Sequence, residues 1–229
     1  MEASFKGFSP KALEFFKTLK HHNTKPWFEA HKHIYEQEIL ARNRAFVEEM
    51  GAHLLCLVPT IHAIPKINHS LFRIYRDTRF SKDKTPIKTH TAVLFWQGRG
   101  SRMQSSSFYL HYNASEVFVA TGIRNFKEEL LKRYRNYILD ESKRLELFDI
   151  LKTLENRGFK INTPHYKRLP QGFNKGDKAV ELALYNAIYA YTTFKPDAIF
   201  FSEAIIDRLF GIYEAMLPLQ QWLYRMTIS

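Results

Sequence analysis

"HTAVLFWQGRGSRMQSSSFYLHYNASEVFVATG", residues His90 to Gly122, decides the fold class. Three short runs rich in β-branched and aromatic residues, "HTAVLFW", "SSFYLHY" and "EVFVATG", are separated by the flexible turns "GRGS" and "NAS". Strands of this length joined by turns this short pair with their neighbours in antiparallel fashion, so the stretch predicts a meander. Upstream, "INHSLFRIYRD" (Ile67 to Asp77) alternates, with Phe72 and Ile74 on one side and Arg73, Tyr75 and Asp77 on the other. That alternation predicts a further strand.

Helical patterns flank the strands on both sides. Ser9 and Pro10 read as the cap and first residue of a helix. After the break "HHNTKP", Pro26 opens a longer helix carrying Trp27, His31, Ile34, Tyr35, Phe46, Val47 and Met50 at near-helical spacing. This helix is expected to reach Leu57, or to divide at Gly51. "NFKE" from Asn125 is a variant capping box ahead of Leu130, Tyr134 and Ile138, and the next helix stops at Gly158. Gly158 to Lys178 is a long loop, a candidate lid. Ala179 to Ala190 reads as a helix, "YAYTTFK" as a strand, and Ser202 to Leu223 as a helix kinked near Pro218. The expectation is one α+β domain over residues 1–229, with an antiparallel sheet of about four to five strands flanked by helices.

Composition narrows the class of partner. The 229 residues carry a net charge of +11, and residues 61–100 alone hold eight Lys and Arg against two acidic residues. Such a bias favours anionic partners: a phosphate- or carboxylate-bearing small molecule, nucleic acid, or an acidic protein surface. The N-terminal stretch "MEASFKGFSPKALEFF" lacks a leader pattern, and no apolar run is long enough for a membrane span. A cytoplasmic protein without a membrane partner is therefore expected. The single Cys56, in the apolar run "LLCLV", is expected to be a buried, inert thiol, and it allows no internal disulfide.

The charge is concentrated in "FRIYRDTRFSKDKTPIKTH", Phe72 to His90. Arginine forks suit carboxylate and phosphate because they donate two parallel hydrogen bonds. Arg73, Arg76 and Arg79 are thus expected to bind an anion, with Asp77 orienting them and Lys84 and Lys88 adding charge. Trp27 or Tyr109 would supply an apolar wall. The competing interpretation is a set of solvated charges on an edge strand, with Arg76 paired to Asp77 or Asp83. If there is a reaction, Asp77, His111 and Lys84 are the candidate acids and bases, and His111 shares a face with Tyr109. The ten histidines lack "HExxH" spacing, so no metal site is expected. The chain has no "GxSxG", no Walker loop and no dinucleotide fingerprint, so no cofactor is expected. Oligomeric state is not legible.

"RIYRDTRFSKDKTPIKT" resembles the signature of the family known as domain of unknown function 2461. Other landmarks follow in order: "GFSPKALEFFKTLKHHNTKPWFEAHKHIYE", "FYLHY", "FVATGI", "LLKRYRNYI", "YKRLPQGF" and "LPLQQWL". The resemblance spans Phe5 to about Leu223 and implies an α+β domain with no established activity. Positions matching the pattern include Trp27, Arg73, Arg76, Asp77, Arg79, Phe80, Asp83, Lys84, Pro86, Lys88, Tyr109 and Gly122. Ile87 departs from it, standing where the family carries Tyr.

Overall fold

A computed structural model describes residues 4–229; the first three residues of the N-terminal stretch lie outside the described residues. The fold is α+β, as expected. The strands β1 (Ile61–His62), β2 (His90–Gln97), β3 (Ser107–Asn113), β4 (Val117–Ile123), β5 (Lys160–Ile161) and β6 (Ile188–Phe194) form one open antiparallel sheet in the order β1-β2-β3-β4-β6-β5, somewhat larger than the four to five anticipated. By internal contacts the chain divides into two compact units, each assembled from separate segments.

The first unit contains residues up to Phe95, Tyr109–Val119 and Thr193–Gly211. Helix α1 (Pro10–His21) starts where the sequence places it: the Ser9 hydroxyl accepts from Lys11 N–H, and Pro10 occupies the first turn. Thr24 caps α2 (Lys25–Ile34) by accepting from Trp27 N–H. The chain then passes without a break through a π-helical turn (Tyr35–Leu40) into α3 (Ala41–Leu54). Gly51 does not divide this helix. A Cβ there would collide with the Ala63 methyl group, so glycine permits a close approach to the segment after β1 (Ile61–His62).

Phe8 packs against Phe46, Tyr112 and Phe200, the last stacked at 4.6 Å. Within this apolar core the Tyr112 hydroxyl donates to Asn43 Oδ1 (2.9 Å), and Asn43 Nδ2 donates to Thr91 Oγ1 (2.9 Å). Burial pushes the Tyr112 hydroxyl far above the usual phenol range. Cys56, in contrast to expectation, is exposed. The helix has ended at Leu54, and in the turn that follows Leu55 and Cys56 are exposed between the buried Leu54 and Val58.

Three predicted strands are present: β2 (His90–Gln97), β3 (Ser107–Asn113) and β4 (Val117–Ile123). The predicted strand over Ile67 to Asp77 is not. Asn68 adopts a left-handed conformation, and the segment makes only isolated bridges, at Ile67, Leu71 and Tyr75. Its buried apolar residues are Leu71 and Ile74, three apart, not the alternating Phe72 and Ile74.

The second unit contains Trp96–Phe108, Ala120–Thr192 and Ile212–Ser229. Helix α4 (Glu128–Leu139) has no cap from its own "NFKE". Instead the Gln104 side chain accepts from Lys127 N–H (2.8 Å) and donates to the Asn125 carbonyl (2.7 Å). Asp140 caps α5 (Glu141–Asn156), whose Arg144 is 5% exposed and donates to the carbonyls of Ile138, Leu139 and Lys178. The loop from Gly158 contributes the short β5 (Lys160–Ile161), paired with β6 (Ile188–Phe194). The helix expected from Ala179 is only a 3-10 segment (Val180–Leu184): left-handed Ala179 precedes it, and the chain becomes extended at Tyr185 on the way into β6. The predicted C-terminal helix is two helices, α6 (Ile205–Ala215) and α7 (Leu217–Ile228), with Pro218 in the first turn of the second. Among the described residues no helix is long and apolar enough to cross a membrane.

Candidate functional site

Phe72 to His90 folds as a closed loop on a short two-sided stem. Arg76 N–H donates to the Pro86 carbonyl (2.8 Å), Lys88 N–H donates to the Ile74 carbonyl (2.9 Å), and Tyr75 faces Ile87 between them. Asn23, in the break between α1 and α2, holds the stem from outside. Its amide donates to the Ile87 carbonyl (2.8 Å) and accepts from Ile87 N–H (3.0 Å), as a neighbouring strand would. Ile87 itself is buried.

Inside the loop the charges pair differently from the strand-based expectation. Asp77 does not orient Arg76. It receives the fork of Arg79, from Nε at 3.0 Å and Nη2 at 2.7 Å, and lies 3.9 Å from Arg73 Nη2. Arg76 Nη1 donates instead to Asp83 and to the Thr85 hydroxyl. Lys84 Nζ donates to the Thr78 carbonyl (2.9 Å) and Lys88 Nζ to the Arg73 carbonyl (2.8 Å). The Arg79 hydrogen bonds hold Asp77 down at about 2. Thr85 N–H, aided by Arg76 and the Thr85 hydroxyl, does the same for Asp83. Both are therefore ionised at neutral pH and are weak bases, better suited to orienting cations than to taking a proton.

An open concavity of about 540 Å³ lies against this loop. Arg76, Asp77, Asp83 and Thr85 form one wall, Ile87 to His90 a second, and Lys20 with Asn23 a third. Its charge is three cations (Lys20, Arg76, Lys88) against two carboxylates whose lone pairs already serve the protein's own donors. Arg76 is only 27% exposed in its side chain, and among the described residues its Nε and Nη2 have no hydrogen-bond partner. The Lys20 ammonium likewise has no partner among the described residues.

The other sequence-derived candidates lie elsewhere. Arg73, Arg79 and Lys84 do not line the concavity; they stand on the solvent side of the loop. Trp27 is not its apolar wall. It stacks on His31 at 4.0 Å and lines a separate depression between α1 and the π turn. Tyr109 and His111 sit on β3 with ring centroids 5.6 Å apart, sharing a face as expected. His111 does not line the concavity, whereas its neighbour His90, 5.5 Å away, does. Lys20, Asn23 and Thr85 were missed. No periodicity marks Lys20 or Asn23 as part of a site centred more than fifty residues downstream, although an Asn between two capped helices is a residue with hydrogen bonds to place.

Phe80, at the tip of the loop, is 96% exposed, with the Arg79 guanidinium 5.8 Å from its ring. Among the described residues no group of three or more His, Cys, Asp or Glu could hold a metal ion. No curated protein matches the chain. The family described as a conserved hypothetical protein (DUF2461) matches residues 11–222, nearly the whole length, and the chain belongs to that family.

Proposed function

We propose that the concavity beside the Arg76 loop binds a small molecule bearing a phosphate or carboxylate group. The observation that carries this is the state of Arg76: Asp83 and Thr85 hold it at Nη1, while Nε and Nη2, the edge that grips an oxyanion in two parallel hydrogen bonds, have no hydrogen-bond partner among the described residues. Lys20 and Lys88 supply further charge around the same space. Arg73, Arg79 and Lys84 act at longer range, by raising the local potential. The assignment is one of binding in the cytoplasm, with no reaction attached.

Inorganic phosphate titrated into the full chain, followed by calorimetry or amide shifts, tests this. Arg76→Lys keeps the charge and removes the fork; binding is expected to weaken about tenfold or more, in line with a charge-assisted bidentate pair. Phosphate affinity equal to that of the unaltered protein in both Arg76→Lys and Lys20→Ala overturns the assignment.

A second function is favoured by the loop tip, where the exposed Phe80 has the Arg79 guanidinium 5.8 Å from its ring and Lys82 and Lys84 follow close behind in sequence. An exposed ring among cations suits a nucleic-acid strand that stacks a base and pairs its backbone charge. Its signature is an affinity that falls steeply with salt and is lost in Phe80→Ala.

A further inference from the structure

Beside the concavity the sheet surface carries a group of aromatic rings. Tyr109 and His111 alternate along β3 with the fully buried Leu110 and Tyr112, so they stand on the opposite side of the strand. Phe118 of β4 lies parallel to His111, with centroids 4.8 Å apart and planes 6° from each other. Tyr109 meets Phe72 edge-on at 6.1 Å. All four rings are partly buried, each keeping some exposure to solvent.

This group borders the concavity at two points. Lys88, in its wall, places Nζ 5.8 Å from the Phe72 ring centre, and His90, also in its wall, lies 5.5 Å from His111. Single exposed aromatics need no explanation, but a contiguous set next to a cationic hollow does. Rings on a sheet surface support flat π systems by stacking, and adjoining cations hold the charged end of such a molecule.

We propose that the ligand is a flat aromatic ring carrying a phosphate, of which a nucleoside 5′-monophosphate is the simplest biological form. The ring lies against the Tyr109, His111 and Phe118 surface, and the phosphate sits at Arg76 and Lys20. This rests on the anion-binding assignment above and adds to it the class of molecule. Stacking on a protein ring is sequence-tolerant, so purine and pyrimidine forms are both accepted, the larger purine more tightly.

Inorganic phosphate, ribose 5-phosphate, adenosine 5′-monophosphate and a short oligoadenylate, each titrated into the full chain at fixed ionic strength, provide the test. The mononucleotide is expected to bind about tenfold or more tighter than ribose 5-phosphate, the increment one stacked base contributes. Phe118→Leu and His111→Ala should lose that increment and keep phosphate binding, His111→Phe should retain it, and Arg76→Ala should weaken every probe. Equal affinity for ribose 5-phosphate and the mononucleotide, with phosphate binding intact, overturns the ring assignment and leaves the anion site standing. Failure of all probes overturns both. An oligonucleotide gaining more than about tenfold over the mononucleotide assigns the surface to a polymer and overturns the small-molecule class.

Discussion

Asp83 lies between two functions, restraining Arg76 and closing the loop through Thr85. Its carboxyl is held at about 2 in the folded protein, chiefly by Thr85 N–H and then by Arg76. A folded-state value below the unfolded one means that the unfolded chain binds the proton more readily. The contribution to stability is then complete above the ordinary carboxylate range and fades as pH falls from about 4 towards 2. Asp77, depressed to a similar value by Arg79, loses its contribution in the same window. Carboxyl-detected NMR should place the Asp83 midpoint near 2, and Asp83→Asn should flatten the dependence of the urea midpoint on pH between about 4 and 2. An unchanged pH profile in that variant removes Asp83 from the account. At this scale the sequence was legible in residue type only. It marked Arg76 and Asp83 as possible partners, but which carboxylate served which guanidinium depended on a loop closure that alternation could not foresee.

At the scale of elements, Gly51 is the informative position. In an exposed helix interior Gly→Ala gains about 1 kcal/mol from propensity. Here the added methyl group meets the Ala63 methyl group, and neither belongs to a flexible side chain. Gly51→Ala is therefore expected to destabilise by about 1–3 kcal/mol, as overpacking does. Gly51→Ala with Ala63→Gly should recover most of that loss in urea denaturation; full tolerance of the single substitution contradicts the close contact. The meander of β2, β3 and β4 was readable because each strand carries its own alternation and turn signals. Capping at Ser9 was readable because hydroxyl and backbone lie two residues apart. The start of α4 was not, since its cap comes from Gln104, more than twenty residues upstream. Ile67 to Asp77 misled because Phe72 and Ile74 imitate a period of two, whereas the chain turns at Asn68 and buries Leu71 and Ile74.

For the molecule as a whole, +11 is a field rather than a site. Lys132 on α4 and Lys152 on α5 are exposed and lie in the second unit, outside the lining of the concavity. Reversing both to Glu should weaken any attraction to duplex DNA at about 50 mM salt, where each phosphate contact contributes a slope near 0.9 in log affinity against log salt. Phosphate affinity at the concavity should stay within about twofold, since neither lysine lines it. A parallel loss of both would assign the binding to overall charge. Composition thus revealed the sign of the partner, while the shape that selects among anions depended on Lys20 from the last turn of α1 and Asn23 from the break after it.

The π turn at Tyr35–Leu40 has a consequence for length variation. An α-helix rotates by about 100° per residue, so an insertion or deletion within α2 or α3 would swing Phe28 and Phe46 onto different sides of the rod. The wider turn already accommodates a surplus residue. Deleting one residue between positions 35 and 40 should let that turn close into an ordinary α-helix and keep both aromatic faces in phase. It is the place along the rod where the chain can change length without rotating what it buries.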